Sequence, residues 1–275
     1  MTGDTQIGQT FQRLQAAGRM AFMPFVTAGD PDLALTQRLV CELAKRGADL
    51  IEVGFPYSDA IADGPVIESS YTRALARNIK ARDIFEAFSR LECDKPIPPL
   101  VAMVSYSIVF RLGPTKFVEQ AVQAGFSGMI VPDLPGDEAL ELAEVVRGAG
   151  LDLIQLVAPT TPPERISRIL QTASGFLYCV SVAGTTGERG QLPKELSERL
   201  RLLRELTNLP LAVGFGISSP MHVQALKGRA DGVIVGSAIV RKLEMLADGT
   251  ASEEEVLREI GEFVESMAAA AHQTT

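Results

Sequence analysis

Histidine is nearly missing from this chain: among 275 residues there are two, His222 and His272. Its three cysteines, Cys41, Cys93 and Cys179, are far apart and odd in number. This leaves almost no material for a Ser-His-Asp relay or a histidine-held metal, and offers neither a disulfide framework nor a zinc spacing. Cys179, in the apolar run "FLYCVSV", reads as a small core residue. His272 falls in "AAAAHQTT", which reads as a frayed end, and His222, in "SSPMHVQAL", as a helix-surface residue. Positive charge is also short. There are 26 Lys and Arg against 34 Asp and Glu, a formal net charge of −8. That balance argues against non-specific binding to nucleic acid or an anionic membrane. It does not exclude a phosphorylated small molecule, because backbone amides bind phosphate unaided. No apolar run approaches a membrane span, and the polar start lacks the apolar core of a signal peptide. A cytoplasmic location is the expectation. Carboxylates are left as the natural carriers of any chemistry.

Short β-rich runs alternate with helical patterns along the whole chain. The strand candidates are 21–27, 49–55, 99–105, 127–133, 151–157, 176–182, 210–216 and 231–237. Between them lie amphipathic stretches such as "DLALTQRLVCELAKRG" and "DEALELAEVVRGAG", several ending in the glycine that stops helices. Apolar runs without strict alternation suit parallel strands covered by helices. Eight β-then-α units predict an α/β fold, a single (β/α)8 TIM barrel with an extra N-terminal helix. An open doubly wound sheet is the alternative, but "TAGDPD" after the first strand is no dinucleotide fingerprint. No linker interrupts the pattern, so 1–275 reads as one domain. Residues 1–20 form a helical segment closing the barrel bottom, 252–270 a last outer helix, and 271–275 a frayed tail.

Such a barrel places its site at the C-terminal strand ends, with phosphate commonly at the loops after the seventh and eighth strands. Here those loops are "GFGISSP" and "GSAIV". Gly214, Gly216 and Gly236 let backbone N–H groups approach a ligand, and a helix starting after "GS" attracts an anion. "AGTTGERGQLP", after the sixth strand, is a third glycine-rich loop, and its length and small residues suit a mobile lid.

The segment "IEVGFPYSDAIADGP" (51–65) sets an acid, Glu52, inside an apolar strand. A carboxylate there costs several kcal/mol unless it is paired or useful. Alternation puts Leu50, Glu52 and Gly54 on one face and Ile51, Val53 and Phe55 on the other. The apolar trio suits the helix layer, so Glu52 is expected to point into the barrel near its top, where burial raises a carboxyl pKa. No Lys or Arg lies in any strand candidate to neutralise it. Asp63 follows in the loop over the same end. Two carboxylates facing a phosphate site describe an acid/base lyase or isomerase of a phosphorylated substrate.

The motifs "FMPFVTAGDP", "IEVGFPYSDAIADGP", "VPDLP", "AGTTG", "GFGISSP" and "DGVIVGSAIV" stand in an order and spacing that resembles the tryptophan synthase alpha chain family, from about residue 20 to 245. The resemblance implies reversible retro-aldol cleavage of indole-3-glycerol phosphate to indole and glyceraldehyde 3-phosphate. It makes Glu52 and Asp63 catalytic and sets Tyr178 beside the reacting carbons. Phe25, Ile130, Leu156 and Phe215 correspond to the walls around the indole ring. Gly187, Gly216, Gly236 and Ser237 correspond to the phosphate loops, and Thr186 to a lid threonine that contacts the aspartate. The resemblance further implies no cofactor in this chain and a pyridoxal-phosphate-dependent beta chain as partner in an α2β2 heterotetramer. Ala60 stands where the family often has Pro, and Ser105 and Ser107 where it usually has Tyr and Asn, both on the face that docks the beta chain. Three other readings stay open. They are a stand-alone indole-3-glycerol phosphate lyase, a regulatory subunit whose chemistry has faded, and an unrelated phosphate-binding barrel.

Overall fold

Eight strands pair in sequence order, and the last pairs with the first. In the computed structural model, which describes residues 5–60, 64–181, 194–214 and 216–274, all eight predicted strands are present. They are β1 (Ala21–Thr27), β2 (Ile51–Gly54), β3 (Leu100–Met103), β4 (Phe126–Ile130), β5 (Asp152–Val157), β6 (Leu177–Val180), β7 (Leu211–Gly214) and β8 (Gly232–Val235). Ala21 stands opposite Gly232, so the parallel sheet closes into a barrel without edges. The described helices are α1 (Gln6–Ala16), α2 (Leu33–Lys45), α3 (Pro65–Ala76), α4 (Ala81–Ser89), α5 (Tyr106–Leu112), α6 (Pro114–Gln123), α7 (Leu140–Gly148), α8 (Pro163–Thr172), α9 (Lys194–Leu206), α10 (Pro220–Leu226), α11 (Ser237–Ala247) and α12 (Glu253–His272). Proline opens α3, α6, α8 and α10, where its fixed φ suits the first turn and no N–H is needed. Asp32 and Ser252 cap α2 and α12 through their side-chain oxygens.

Strand alternation divides the buried residues into two groups. Phe22, Ile51, Val53, Phe55, Ala102, Met129 and Val213 face the helices and join the larger cluster. Met23, Phe25, Leu50, Val101, Ile130, Ile154, Tyr178 and Ile234 point inward and fill the barrel. Glu52 falls between two helix-facing residues, so the pleat sends it inward, as expected.

The barrel bottom is plugged by α1. Ile7, Phe11 and Leu14 join the inner cluster, Phe11 packs its ring 5.6 Å from that of Phe176, and Ser127 Oγ donates to Gln6 Oε1 at 2.8 Å. Asp152, at the start of β5, is buried at this end. Burial pushes its carboxyl up from the ordinary carboxylate range, and hydrogen bonds from Thr5 and Ser174 only partly oppose this. A carboxyl raised in the folded state binds protons that the unfolded chain has released, so stability falls as pH rises from the unfolded pKa through the folded one. Asp152→Asn removes that titration. The variant should therefore gain stability relative to wild type as pH rises through that window and hold a constant difference above it. Melting temperatures of both proteins from about pH 4 to pH 7 check this; a pH-independent difference would contradict it.

Two expectations are corrected. Cys41 and Cys93 are joined by a disulfide with a Cα–Cα distance of 5.3 Å. The bridge ties the middle of α2 to the turn after α4. Its partners lie 52 residues apart, a separation that spacing rules do not read. Closing a loop of that size restricts the unfolded chain by about 4 kcal/mol in the entropic account. The end of the chain is also better held than a frayed tail. Helix α12 runs through His272, Ala271 is fully buried, and His272 Nε2 lies 2.7 Å from Asp49 Oδ2.

Candidate active site

Three buried carboxylic acids stand out among the described residues: Asp30, Glu52 and Asp152. Two have other tasks. Asp152 belongs to the barrel bottom. Asp30, after β1, takes both arms of Arg73 on α3, at 2.9 Å to Nε and 2.7 Å to Nη2. That pair raises the Arg73 pKa and anchors α3, the helix that follows the acid-bearing loop. A hydrogen bond of 2.6 Å between Thr27 Oγ1 and Ser70 Oγ adds a second anchor from β1 to α3. Breaking a buried pair such as Asp30–Arg73 typically costs 3–5 kcal/mol, because the remaining charge stays buried. Glu52 is the acid left at the mouth, only 4% exposed, with Phe25 of β1 beside it in register and Val101 of β3 on its other side.

Among the described residues, the inward strand positions around Glu52 make a largely apolar chamber to which Tyr178 adds a hydroxyl. Phe25, Ile130 and Tyr178 are buried inside the barrel, and Leu156 packs against the same cluster. Tyr178 crosses from β6 to β7: a Cβ built on Gly214 would lie 2.2 Å from Tyr178 Oη. Gly214 was expected in the phosphate cradle, and its observed task is to leave room for that hydroxyl. Gly216 has φ +76°, which side-chain-bearing residues rarely adopt. Gly236 is the N-cap of α11, no side chain caps that helix, and Ser237 is its first residue. The uncapped N-terminus stands at the end of β8, where its N–H groups and dipole suit an anion. Asp63, Thr186, Gly187 and Phe215 lie outside the described residues.

The same end of the barrel carries the segment after β3. Ser105 caps α5 through Ser107 N–H, donates from Oγ to Asp133 Oδ2 at 2.7 Å, and is joined by Tyr106 N–H on Asp133 Oδ1. Ser107 Oγ lies 2.8 Å from Ser105 Oγ. The two serines are thus used locally, tying the end of β3 to the "VPDLP" turn after β4. Phe110, one turn along α5, is 70% exposed and near the Tyr106 ring. His222 lies on α10 with Nδ1 accepting from Ser218 N–H, away from the inward-facing group. Cys179 faces the helix layer, and burial pushes its thiol up to about 12, which suits an inert core residue. No group of three His, Cys, Asp or Glu among the described residues could hold a metal ion.

Two residues were given no task by the sequence reading. Gly54 ends β2 on the Glu52 face, and an added Cβ would lie 2.5 Å from Phe25 Cζ and 2.6 Å from Tyr71 Oη. Tyr71 is on α3 yet packs with the inner group. The signal was a glycine two residues after the buried acid, but its meaning depends on what approaches it in space.

A model of the family described as tryptophan synthase alpha chain matches residues 11–272. A protein named tryptophan synthase alpha chain, from Rhodopirellula baltica, is 46% identical over 270 residues, 96% of this chain and 97% of its own length. Another of that name, from Caldanaerobacter subterraneus subsp. tengcongensis, is 44% identical over 95% of this chain and 98% of its own. The crystal structure of tryptophan synthase subunit alpha from Legionella pneumophila str. Paris superposes with a TM-score of 0.87 at 35% identity, over 97% of this chain and 98% of that one. A chain of tryptophan synthase from M. tuberculosis, in an open form with BRD0059 bound, does so at 0.85 and 30%, over 98% and 99%.

Proposed function

This chain belongs to the tryptophan synthase alpha chain family, lyases that cleave indole-3-glycerol phosphate in tryptophan biosynthesis, and from that premise we propose that Glu52, Asp63 and Tyr178 carry the step. The supporting observation is Glu52 itself, a buried carboxylic acid at the barrel mouth among apolar walls. Cleaving the bond at indole C3 requires the ring to become a leaving group. Protonated Glu52 gives its proton to C3, and positive charge develops on the ring nitrogen. Asp63 accepts a hydrogen bond from the ring N–H, stabilising that charge where it forms. Glu52, now a carboxylate, takes the proton of the glycerol hydroxyl next to the breaking bond. The hydroxyl carbon becomes the aldehyde of glyceraldehyde 3-phosphate, and the electrons of the broken bond return to the ring as neutral indole. Glu52 ends protonated as it began.

Phe25, Ile130, Leu156 and Phe215 wall the ring in this reading, and Tyr178 lies beside the reacting carbons. Gly187, Gly216, Gly236 and Ser237 hold the phosphate, while Thr186 brings the lid onto Asp63. A Cβ at Gly236 would meet Phe25 at an ordinary 3.5 Å, so a small side chain fits and a long one must turn elsewhere. Gly236→Leu should weaken glyceraldehyde 3-phosphate binding by roughly tenfold or more by blocking the helix N-terminus. Indole binding should change much less. Titration with each ligand measures both, and an equal loss for the two would point to general damage of the site.

The family works with a beta chain. The finer reading is an α2β2 complex in which this chain carries no cofactor and pyridoxal phosphate belongs to the beta partner. The exposed Phe110 beside Tyr106, on the segment braced by Ser105, Ser107 and Asp133, supports docking at this end. Ala60 is buried with the inner cluster, so the departure at that position faces the barrel rather than a partner. A single barrel using all eight strands supports reading the chain as one domain. We place the protein in the cytoplasm with its biosynthetic family; no described helix is long and apolar enough to cross a membrane. The Cys41–Cys93 bridge pulls the other way, since disulfides persist where surroundings oxidise.

A further inference from the structure

Tyr71 does not belong to the layer in which its helix lies. Helix α3 packs outside the barrel wall, yet Tyr71 is 1% exposed and joins Phe25, Ile67, Met103 and Tyr178 in the inner group. Its hydroxyl reaches over the end of β2 into the space left by the missing side chain of Gly54, 2.6 Å from where a Cβ would stand. Phe25 fills the rest of that space, with Cζ and Cε2 2.5 and 2.8 Å from the same point. Gly54 shares its face with Glu52, two residues nearer the mouth, which is about 7 Å along a strand. Tyr71 and Phe25 therefore meet over the end of β2, on the strand face that carries Glu52. The Tyr71 ring also packs on that of Tyr57, with centroids 5.5 Å apart, and the Thr27–Ser70 hydrogen bond one residue away holds this stretch of α3 to β1. The arrangement parallels Tyr178, whose hydroxyl lies over Gly214 at the end of β7.

We propose that Tyr71 is a specificity-determining residue. Seated over Gly54 against Phe25, it forms the wall that limits the size of the indole ring on the β2 side. This rests on the reading of Phe25, Ile130 and Tyr178 as the ring pocket. A rigid, doubly anchored ring makes a wall that cannot swing away to admit an added methyl group. Pocket walls of this kind discriminate a methylene-sized difference by roughly 10–200-fold.

The reverse reaction tests this, because the ring can be supplied as indole or as indoles methylated at each benzo-ring carbon, with glyceraldehyde 3-phosphate. For at least one methyl position, Tyr71→Ala should raise the ratio of kcat/KM for methylindole over indole by roughly tenfold or more. Tyr71→Phe keeps the ring and should keep the discrimination. Tyr71→Leu retains an apolar side chain in the inner packing and removes the aromatic ring that forms the wall, so it gives the same reading if Tyr71→Ala does not fold. A residue that merely supports the fold would lower kcat/KM for all indoles alike. If folded Tyr71→Ala or Tyr71→Leu leaves every ratio unchanged, the proposal is wrong. Phe25→Ala separates the two levels: a shift in its ratios without one at Tyr71 overturns only the Tyr71 wall. No shift in either overturns the pocket reading as well.

Discussion

Glu52→Gln should lower indole release from indole-3-glycerol phosphate by roughly 10²-fold or more while leaving the fold intact. The amide has nearly the volume of the acid, so the packing beside Phe25 and Val101 survives. What disappears is the group that, in the proposed mechanism, protonates C3 and takes the hydroxyl proton. Removing a buried carboxyl from an apolar setting also lifts a desolvation cost, so the melting temperature should hold or rise. Loss of turnover without loss of stability identifies a group kept for chemistry. A folded Glu52→Gln protein with near-wild-type cleavage would contradict the role assigned to it.

The second large effect comes from a residue with no chemistry of its own. Gly214→Ala puts a methyl group 2.2 Å from Tyr178 Oη and 2.5 Å from its Cζ, distances that force the ring to move. The Tyr178 ring is buried in the inner cluster, so displacement would carry its hydroxyl away from the place that the proposed mechanism gives the reacting carbons. A shift of about 1 Å at such a site can cost 10²-fold in rate, and overpacking costs about 1–3 kcal/mol in stability. The two consequences separate in a double-mutant cycle. In a Tyr178→Leu background the added methyl has no hydroxyl to displace, so Gly214→Ala should lower turnover far less than it does in wild type. Equal losses in both backgrounds would show that Gly214 acts otherwise.

The barrel and the facing of Glu52 were legible because both follow from period. Eight apolar runs separated by helical patterns leave one closed parallel architecture, and alternation around Ile51 and Val53 leaves Glu52 one direction to point. The N-terminus of α11 was legible for a similar reason, since a glycine followed by a helix start is local chemistry. What was not legible depends on approach between distant segments. The Cys41–Cys93 bridge joins a helix to a turn 52 residues on, and no spacing rule announces it. His272 looked like part of a loose end because its partner, Asp49, lies just before β2, far away in sequence. Gly54 read only as a strand residue on the Glu52 face, and Gly214 as a cradle residue. Their observed task, admitting the hydroxyls of Tyr71 and Tyr178, appears only once those rings are placed. Family resemblance located Tyr178 but carried nothing for Tyr71.

Indole is apolar and would escape across membranes, so a barrel that makes it gains from passing it directly to a consumer. The acid-bearing loop before α3 and the segment braced by Ser105 and Asp133 both stand at the mouth. In the proposed complex, a beta chain docking there would shift the alpha site toward its competent state, and a substrate analogue would tighten partner binding by the same factor. The most direct measurement is indole release from indole-3-glycerol phosphate by the purified chain, alone and with a saturating cognate beta chain. Slow release alone and marked stimulation by the partner is the predicted result. Full activity alone, unchanged by the beta chain, would make this a stand-alone lyase, and no release under either condition would contradict catalysis by Glu52 altogether.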